Sequence, residues 1–84
     1  MLSAAQLESY IKQGLPCDYI QVLGDDGTHF EAVIVSPSFD GKSMVQQHQL
    51  VYGVLGDRMR AEIHALSMKT YTPQKWHEIN QLQN

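Results

Sequence analysis

The chain has 84 residues, of which 43% are hydrophobic and 18% charged; this is typical of a globular protein, with room for one hydrophobic core, so we predict a single domain over residues 1–84. Six Lys and Arg against nine Asp and Glu give a net charge of −3, which disfavours a protein whose main task is to bind phosphates. No apolar run reaches the length of a membrane span and no secretory signal is visible, so we expect a cytoplasmic protein without a membrane segment.

A capping box marks the start of the first predicted helix. Ser3 is followed three residues later by Gln6, and apolar residues then recur at helical spacing. Gly14, with Pro16 just beyond it, ends the pattern, because glycine is common at helix C-termini. The sequence therefore predicts a helix from Ser3 to Gly14.

A β-hairpin is predicted next. "DYIQVLG" (18–24) and "HFEAVIVS" (29–36) are rich in β-branched and aromatic residues, and "DDGT" (25–28) between them contains Asp-Gly, a strong hairpin-turn signal. Alternation in the second strand places three apolar side chains on one face: Phe30, Ala32 and Ile34. The other face then begins with His29.

A second capping box, Ser43 with Gln46, follows the loop "PSFDGKS" (37–43). The helix that begins there is predicted to bury an apolar stripe: Met44, Val51, Val54, Leu55 and Met59. Gly53 and Gly56 weaken a helix, so we expect a break or a second short helix near 57–61.

"IHALSMKT" (63–70) is predicted to form the third strand, and Thr72-Pro73 to begin a last helix that carries Trp76 and Ile79. The element order is αββααβα. A helical crossover between the second and third strands favours parallel pairing. The predicted fold class is therefore α+β, a single-layer, three-stranded mixed sheet with helices packed on one face.

Parallel strands begin at the same edge of a sheet, which brings two histidines together. His29 opens one strand and His64 is the second residue of the other. If the two strands are neighbours, their backbones are about 5 Å apart at this point. Neutral imidazole is a common ligand of zinc, copper and iron. The alternative is that His64 bonds to the backbone and His29 is a solvated turn residue.

Two histidines provide half of a metal site. A structural zinc needs four protein ligands, and the one thiol, Cys17, lies in a loop that the predicted layout does not bring to the histidines. A metal at this edge would need ligands from another molecule. A 2Fe-2S cluster with two histidines on one iron and two sulfur ligands on the other is a known arrangement.

Catalytic patterns are not found, so the chain is predicted not to be an enzyme. The sequence contains no nucleophile elbow, no phosphate-binding loop and no acid–base pair, and His48 and His77 are expected to be solvated. "GVLG" (53–56) matches the GxxG of KH nucleic-acid modules, although such matches are frequent. The alternative function is therefore nucleic-acid binding through the available cations: Lys42, Arg58, Arg60 and Lys69.

Two longer segments, "FDGKSMVQQHQLVYGVL" (39–55) and "IHALSMKTYTPQKW" (63–76), closely resemble the BolA family. The family pattern is Phe-x-Gly-x-Ser, a helix with Val-Tyr-x-x-Leu, then Ile-His-Ala-Leu-Ser and Thr-Pro-x-x-Trp. With "GDDGTHF" (24–30) before the second strand, the chain is most similar to the short bacterial IbaG (YrbA) branch. The resemblance spans about residues 3–79.

The resemblance implies an αββααβ fold of the KH type II kind, in agreement with the element order. It also implies a 2Fe-2S cluster shared with a monothiol glutaredoxin, which brings its own cysteine and a glutathione thiol. The metal ligands implied for this chain are His64 and His29.

The roles that the resemblance implies are iron–sulfur cluster trafficking, iron homeostasis or a stress response. We expect the free protein to be a monomer or a weak homodimer. Some BolA proteins are proposed to regulate transcription by binding DNA. The arginines that often follow the serine in the family helix are missing from "SMVQQHQ" (43–49), which puts that role in doubt here.

Overall fold

The computed structural model describes residues 2–24, 26–61, 63 and 65–82. Its helices are α1 (Ala4–Gly14), α2 (Met44–Leu55), α3 (Arg58–Ala61) and α4 (Pro73–Leu82). Its strands are β1 (Tyr19–Leu23), β2 (His29–Val35) and β3 (Ala65–Tyr71), and a turn of 3₁₀ helix, Pro37–Phe39, follows β2. The predicted order αββααβα is confirmed.

Both capping boxes form. Ser3 Oγ accepts the backbone N–H of Gln6 at 3.1 Å, and Gln6 Oε1 accepts the backbone N–H of Ser3 at 2.8 Å. Ser43 and Gln46 repeat this exchange at 3.2 and 2.9 Å. Since the first backbone N–H groups of a helix have no partner within it, these side chains decide where α1 and α2 begin.

The sheet has the order β1-β2-β3, with β1 antiparallel and β3 parallel to β2. The parallel register runs from His29 opposite Ala65 to Val35 opposite Tyr71. The parallel neighbours expected from the helical crossover are thus confirmed. His29 lies at the start of this pairing.

The core lies between one face of the sheet and helices α1 and α2. Phe30, Ala32 and Ile34 of β2 are buried, as their alternation predicts, and they belong to the same core cluster as the helix residues. The helices and the 3₁₀ turn contribute its most deeply buried side chains: Leu7, Ile11, Phe39, Val51 and Leu55. A hydrogen bond of 2.7 Å from Thr70 Oγ1 to Gln47 Oε1 adds a polar link between β3 and α2.

Helix α4 adds a contact on the opposite side of the sheet. Tyr19, Val35 and Tyr71 form one row across the three strands and, by alternation, point away from the neighbouring core residue Ile34. Trp76 stacks on Tyr19 with ring centroids 5.1 Å apart and lies 5.4 Å from Tyr71. The prediction of helices on one face thus holds for α1 and α2, while Trp76 of α4 covers the end of the other face.

Two predictions about α2 are wrong. Met44 was expected in the buried stripe and is 67% exposed, whereas Val51 and Leu55 are buried as predicted. Met44 has the right angular position, but it is the first residue of α2 and lies beyond the packed part of the helix. His48, expected to be solvated, is half-buried, and its Nε2 has no hydrogen-bond partner among the described residues.

No helix in the described residues combines the length and the apolar character needed to cross a membrane.

Truncating two residues of the predicted stripe should have different effects on stability. Leu55→Ala removes a side chain that is 1% exposed, so we expect the free energy of unfolding to fall by about 2–5 kcal/mol. Met44→Ala, the matched control on the same helix, should change it by less than about 0.5 kcal/mol. Urea unfolding measures both, and equal losses would contradict the placement of α2.

Candidate metal site

The candidate site lies on the uncovered part of the sheet. Leu23, Glu31 and Ser67 form a row across the three strands, next to the row of His29 and Ala65, and all five are exposed. Around these rows lies an open depression of about 580 Å³. One face of the strands therefore builds the core, and the other presents His29 to an open surface.

The hairpin turn determines the position of the His29 ring. Gly27 has φ of +79°, which the Asp-Gly turn requires. Asp26 Oδ1 accepts the backbone N–H groups of Thr28 at 2.9 Å and His29 at 2.8 Å, and Oδ2 lies 2.9 Å from His29 Nδ1. Thr28 Oγ1 is 3.0 Å from the same nitrogen. The ring is held through Nδ1 while its side chain stays 60% exposed.

The same contacts stabilise the ionised form of the Asp26 carboxyl. The backbone N–H groups of His29 and Thr28, followed by the His29 ring, hold the pKa of the Asp26 carboxyl far below its usual range. The carboxylate is therefore ionised at neutral pH, next to an imidazole. When one nitrogen of a histidine binds a metal, a carboxylate is one of the common hydrogen-bond partners of the other nitrogen.

The second predicted ligand, His64, lies outside the described residues. Its neighbour in the sequence, Ala65, is the residue that pairs with His29 in the parallel register. The separation of the two imidazoles thus stays a prediction. Within the described residues, no group of three or more His, Cys, Asp and Glu side chains is arranged to hold a metal ion, so a metal bound by His29 would need further ligands.

Cys17 belongs to the other end of the sheet. It precedes Asp18, whose backbone N–H bonds to the carbonyl of Val35 at 2.8 Å. Val35 and His29 are the two ends of β2, about 20 Å apart at about 3.3 Å per residue. The Cys17 thiol is half-buried and donates to the carbonyl oxygen of Leu15 at 3.3 Å. It is remote from His29, as the layout predicts.

The predicted nucleic-acid cations whose side chains are described do not share one surface. Lys42 and Arg58 lie at opposite ends of α2, a helix about 18 Å long, and the Arg58 guanidinium packs on the Tyr10 ring at 4.0 Å from its centroid. Lys69 alternates with the core residue Met68, so it belongs to the uncovered face. The Arg60 side chain lies outside the described part of the chain.

Sequence reasoning missed Asp26 as a partner of His29 and treated the hairpin aspartates as turn residues only. The signal was present in the sequence as Asp-Gly-Thr-His. An aspartate at this position bonds to backbone N–H groups two and three residues later, and this curls the chain so that the histidine ring returns to the carboxylate.

A family comparison matches the BolA-like protein model to residues 7–75. Among curated proteins, acid stress protein IbaG of Escherichia coli K12 is 39% identical over 72 residues, which cover 84% of each chain. A segment of SufE-like protein 1 of Arabidopsis thaliana is 51% identical over 51 residues, 60% of this chain and 14% of that protein.

Among solved structures, the crystal structure of a bol-like protein from Babesia bovis matches with a TM-score of 0.84 and 32% identity over 95% of both chains. These similarities agree with the motifs found at 39–55 and 63–76.

Burial of Cys17 should slow its modification. Desolvation by the surrounding protein raises the pKa of the thiol, so less of the reactive thiolate is present near pH 8 than for a free cysteine. We expect slower alkylation by iodoacetamide in the native protein, with the rate of a free thiol restored in urea. Native alkylation as fast as that of glutathione at the same pH would contradict this placement.

Proposed function

The chain belongs to the BolA family, and from this premise we propose that it is an adaptor that shares a 2Fe-2S cluster with a monothiol glutaredoxin. Proteins of this family are generally not enzymes. The cluster is the cargo of the complex. The proposed role is in iron–sulfur cluster trafficking or iron homeostasis.

His29 and His64 are the proposed ligands of one iron, and the glutaredoxin cysteine and a glutathione thiol are those of the other. The observation that carries this proposal is the pairing of His29 with Ala65. A residue bonded to Ala65 has its Cα within about 9 Å of that of His29, because paired strands are about 4.8 Å apart and consecutive Cα atoms 3.8 Å. The proposal requires both imidazole rings to reach a common iron across that distance.

The donor set supports a shared cluster over a resident metal. Two imidazoles leave a tetrahedral ion two ligands short, and Cys17 is about 20 Å away along β2. A cluster with two histidines on one iron takes sulfur ligands on its second iron. A partner that carries two thiols completes that set.

The partner is proposed to approach over the depression beside His29. Ala65, Ser67 and Leu23 line it with small or apolar side chains, and Glu31 lies between Leu23 and Ser67. A partner that covers this surface would need a hydrogen-bond donor or a cation for the Glu31 carboxylate. The relatives give further support, since a similar segment occurs in a SufE-like protein and thus points towards iron–sulfur chemistry. The name of the E. coli relative suggests acid stress as a setting.

The nucleic-acid function stays an alternative prediction. The separation of Lys42, Arg58 and Lys69 does not favour it, because phosphate binding needs clustered cations.

Histidine variants test the ligand set. The chain is mixed with a bacterial monothiol glutaredoxin, glutathione, ferrous iron and sulfide, and the visible circular dichroism of the cluster is recorded. We expect His64→Ala and His29→Ala to abolish or change the signal of the complex, since each removes an iron ligand. His77→Ala, which alters an exposed histidine of α4, is the control, and unchanged spectra for all three variants would refute the proposal.

A bulky substitution tests the direction of approach. Ser67→Arg places a long side chain in the depression without changing a proposed ligand, so we expect the glutaredoxin affinity to fall at least tenfold, about 1.4 kcal/mol. Gln13→Arg, at an exposed position of α1, is the matched control. Calorimetric titration measures both, and equal affinities would place the partner on another surface.

A further inference from the structure

The Asp26 carboxylate contacts both the backbone and the ring of His29. Oδ1 accepts two backbone N–H groups, and Oδ2 lies 2.9 Å from Nδ1. Both oxygens are thus engaged within one turn. This differs from an ordinary turn aspartate, which bonds to the backbone alone.

The position of the hydrogen between Asp26 and His29 follows from the chemistry of the two groups. The Asp26 side chain is 51% exposed and accepts two backbone N–H groups, so at neutral pH and above it is ionised like an ordinary aspartate. An ionised carboxylate has acceptors only. The hydrogen in the contact between Oδ2 and Nδ1 must therefore belong to the nitrogen.

A neutral imidazole carries one N–H, so the lone pair that can bind a metal is then on Nε2. We propose that Asp26 is a positioning residue that fixes His29 in the Nδ1–H tautomer and thereby makes Nε2 its metal-binding nitrogen. The metal-binding part of this inference rests on the proposed function. The tautomer is a property of the metal-free chain.

Asp26→Asn separates the two tasks of the carboxylate. The amide oxygen still accepts the backbone N–H groups of Thr28 and His29, so the turn is preserved. An NH₂ group takes the place of Oδ2, and it is a donor. Nδ1 must then accept, so the hydrogen moves to Nε2 and occupies the metal-binding position.

The first measurement uses ring ¹⁵N chemical shifts of the metal-free protein at pH 9, above the ordinary range of imidazole titration. The His29 signals are identified by their loss in His29→Gln. We expect Nδ1–H in the natural chain and predominantly Nε2–H in Asp26→Asn. Thr28→Val, which removes the other side-chain contact to Nδ1, should keep Nδ1–H.

Backbone amide shifts of Thr28 and His29 provide the structural control for Asp26→Asn, because they report whether the turn bonds remain. Asp26→Ala removes the bonds to the backbone and to the His29 ring together, so the His29 ring of this variant should show no fixed tautomer. A natural chain with Nε2–H, or an Asp26→Asn chain with an unchanged tautomer, overturns the inference whatever the cluster does.

The second measurement is the affinity of the cluster-bridged complex, followed by visible circular dichroism. Loss of the hydrogen-bond partner of a metal-binding histidine typically weakens metal binding 10–100-fold. We expect the affinity of the complex to fall within that range for Asp26→Asn. A reversed tautomer with undiminished affinity overturns the positioning role and leaves the proposed function intact. Normal assembly by His29→Gln overturns the ligand role of His29 itself.

Discussion

The parallel pairing of β2 with β3 is the constraint on which the site depends. A parallel partner cannot be reached by a tight turn, so the chain between these strands makes a crossover through the 3₁₀ turn, α2 and α3. Phe39, Val51 and Leu55 of that crossover are buried, and Gln47 bonds to Thr70. The same packing that stabilises the crossover sets the register that brings Ala65 beside His29.

Strand β2 serves both the core and the site because its side chains alternate. Phe30, Ala32 and Ile34 pack under the helices, while His29 and Glu31 face the uncovered side. A shift of one residue in register would exchange these sets and expose the core. The packing of the core therefore fixes the strand register and keeps His29 on the uncovered face, although His29 itself adds little to the buried surface.

Much of the fold can be predicted from the sequence because the deciding signals are local. Ser3 and Ser43 begin their helices through side-chain bonds three residues away, and the alternation in 29–35 identifies the buried face. Met44 shows the limit of periodicity. Helical periodicity gives the angle of a residue around α2, but it does not show whether another element packs against that position along the helix axis. The exposed Met44 is therefore wrongly predicted to be in the core.

The candidate site was predictable in outline only. Topology and family resemblance indicated His29, but neither gave the state of its ring, which depends on the dihedral angles of the turn. Gly27 in the left-handed region and the bonds of Asp26 to Thr28 and His29 decide it. His48 is a similar case, because its half-buried position on α2 follows from packing and not from spacing.

In the proposed complex, histidines of this chain bind one iron of the cluster, and the thiol ligands of the other iron come from the partner. Pulsed electron paramagnetic resonance of the reduced complex, in which only the histidines of this chain carry ¹⁵N, detects these iron–nitrogen bonds. Strong couplings to two ¹⁵N nuclei, one of them lost in His29→Gln, are the expected result. A cluster that forms in the complex without any ¹⁵N coupling would show that these histidines do not bind it.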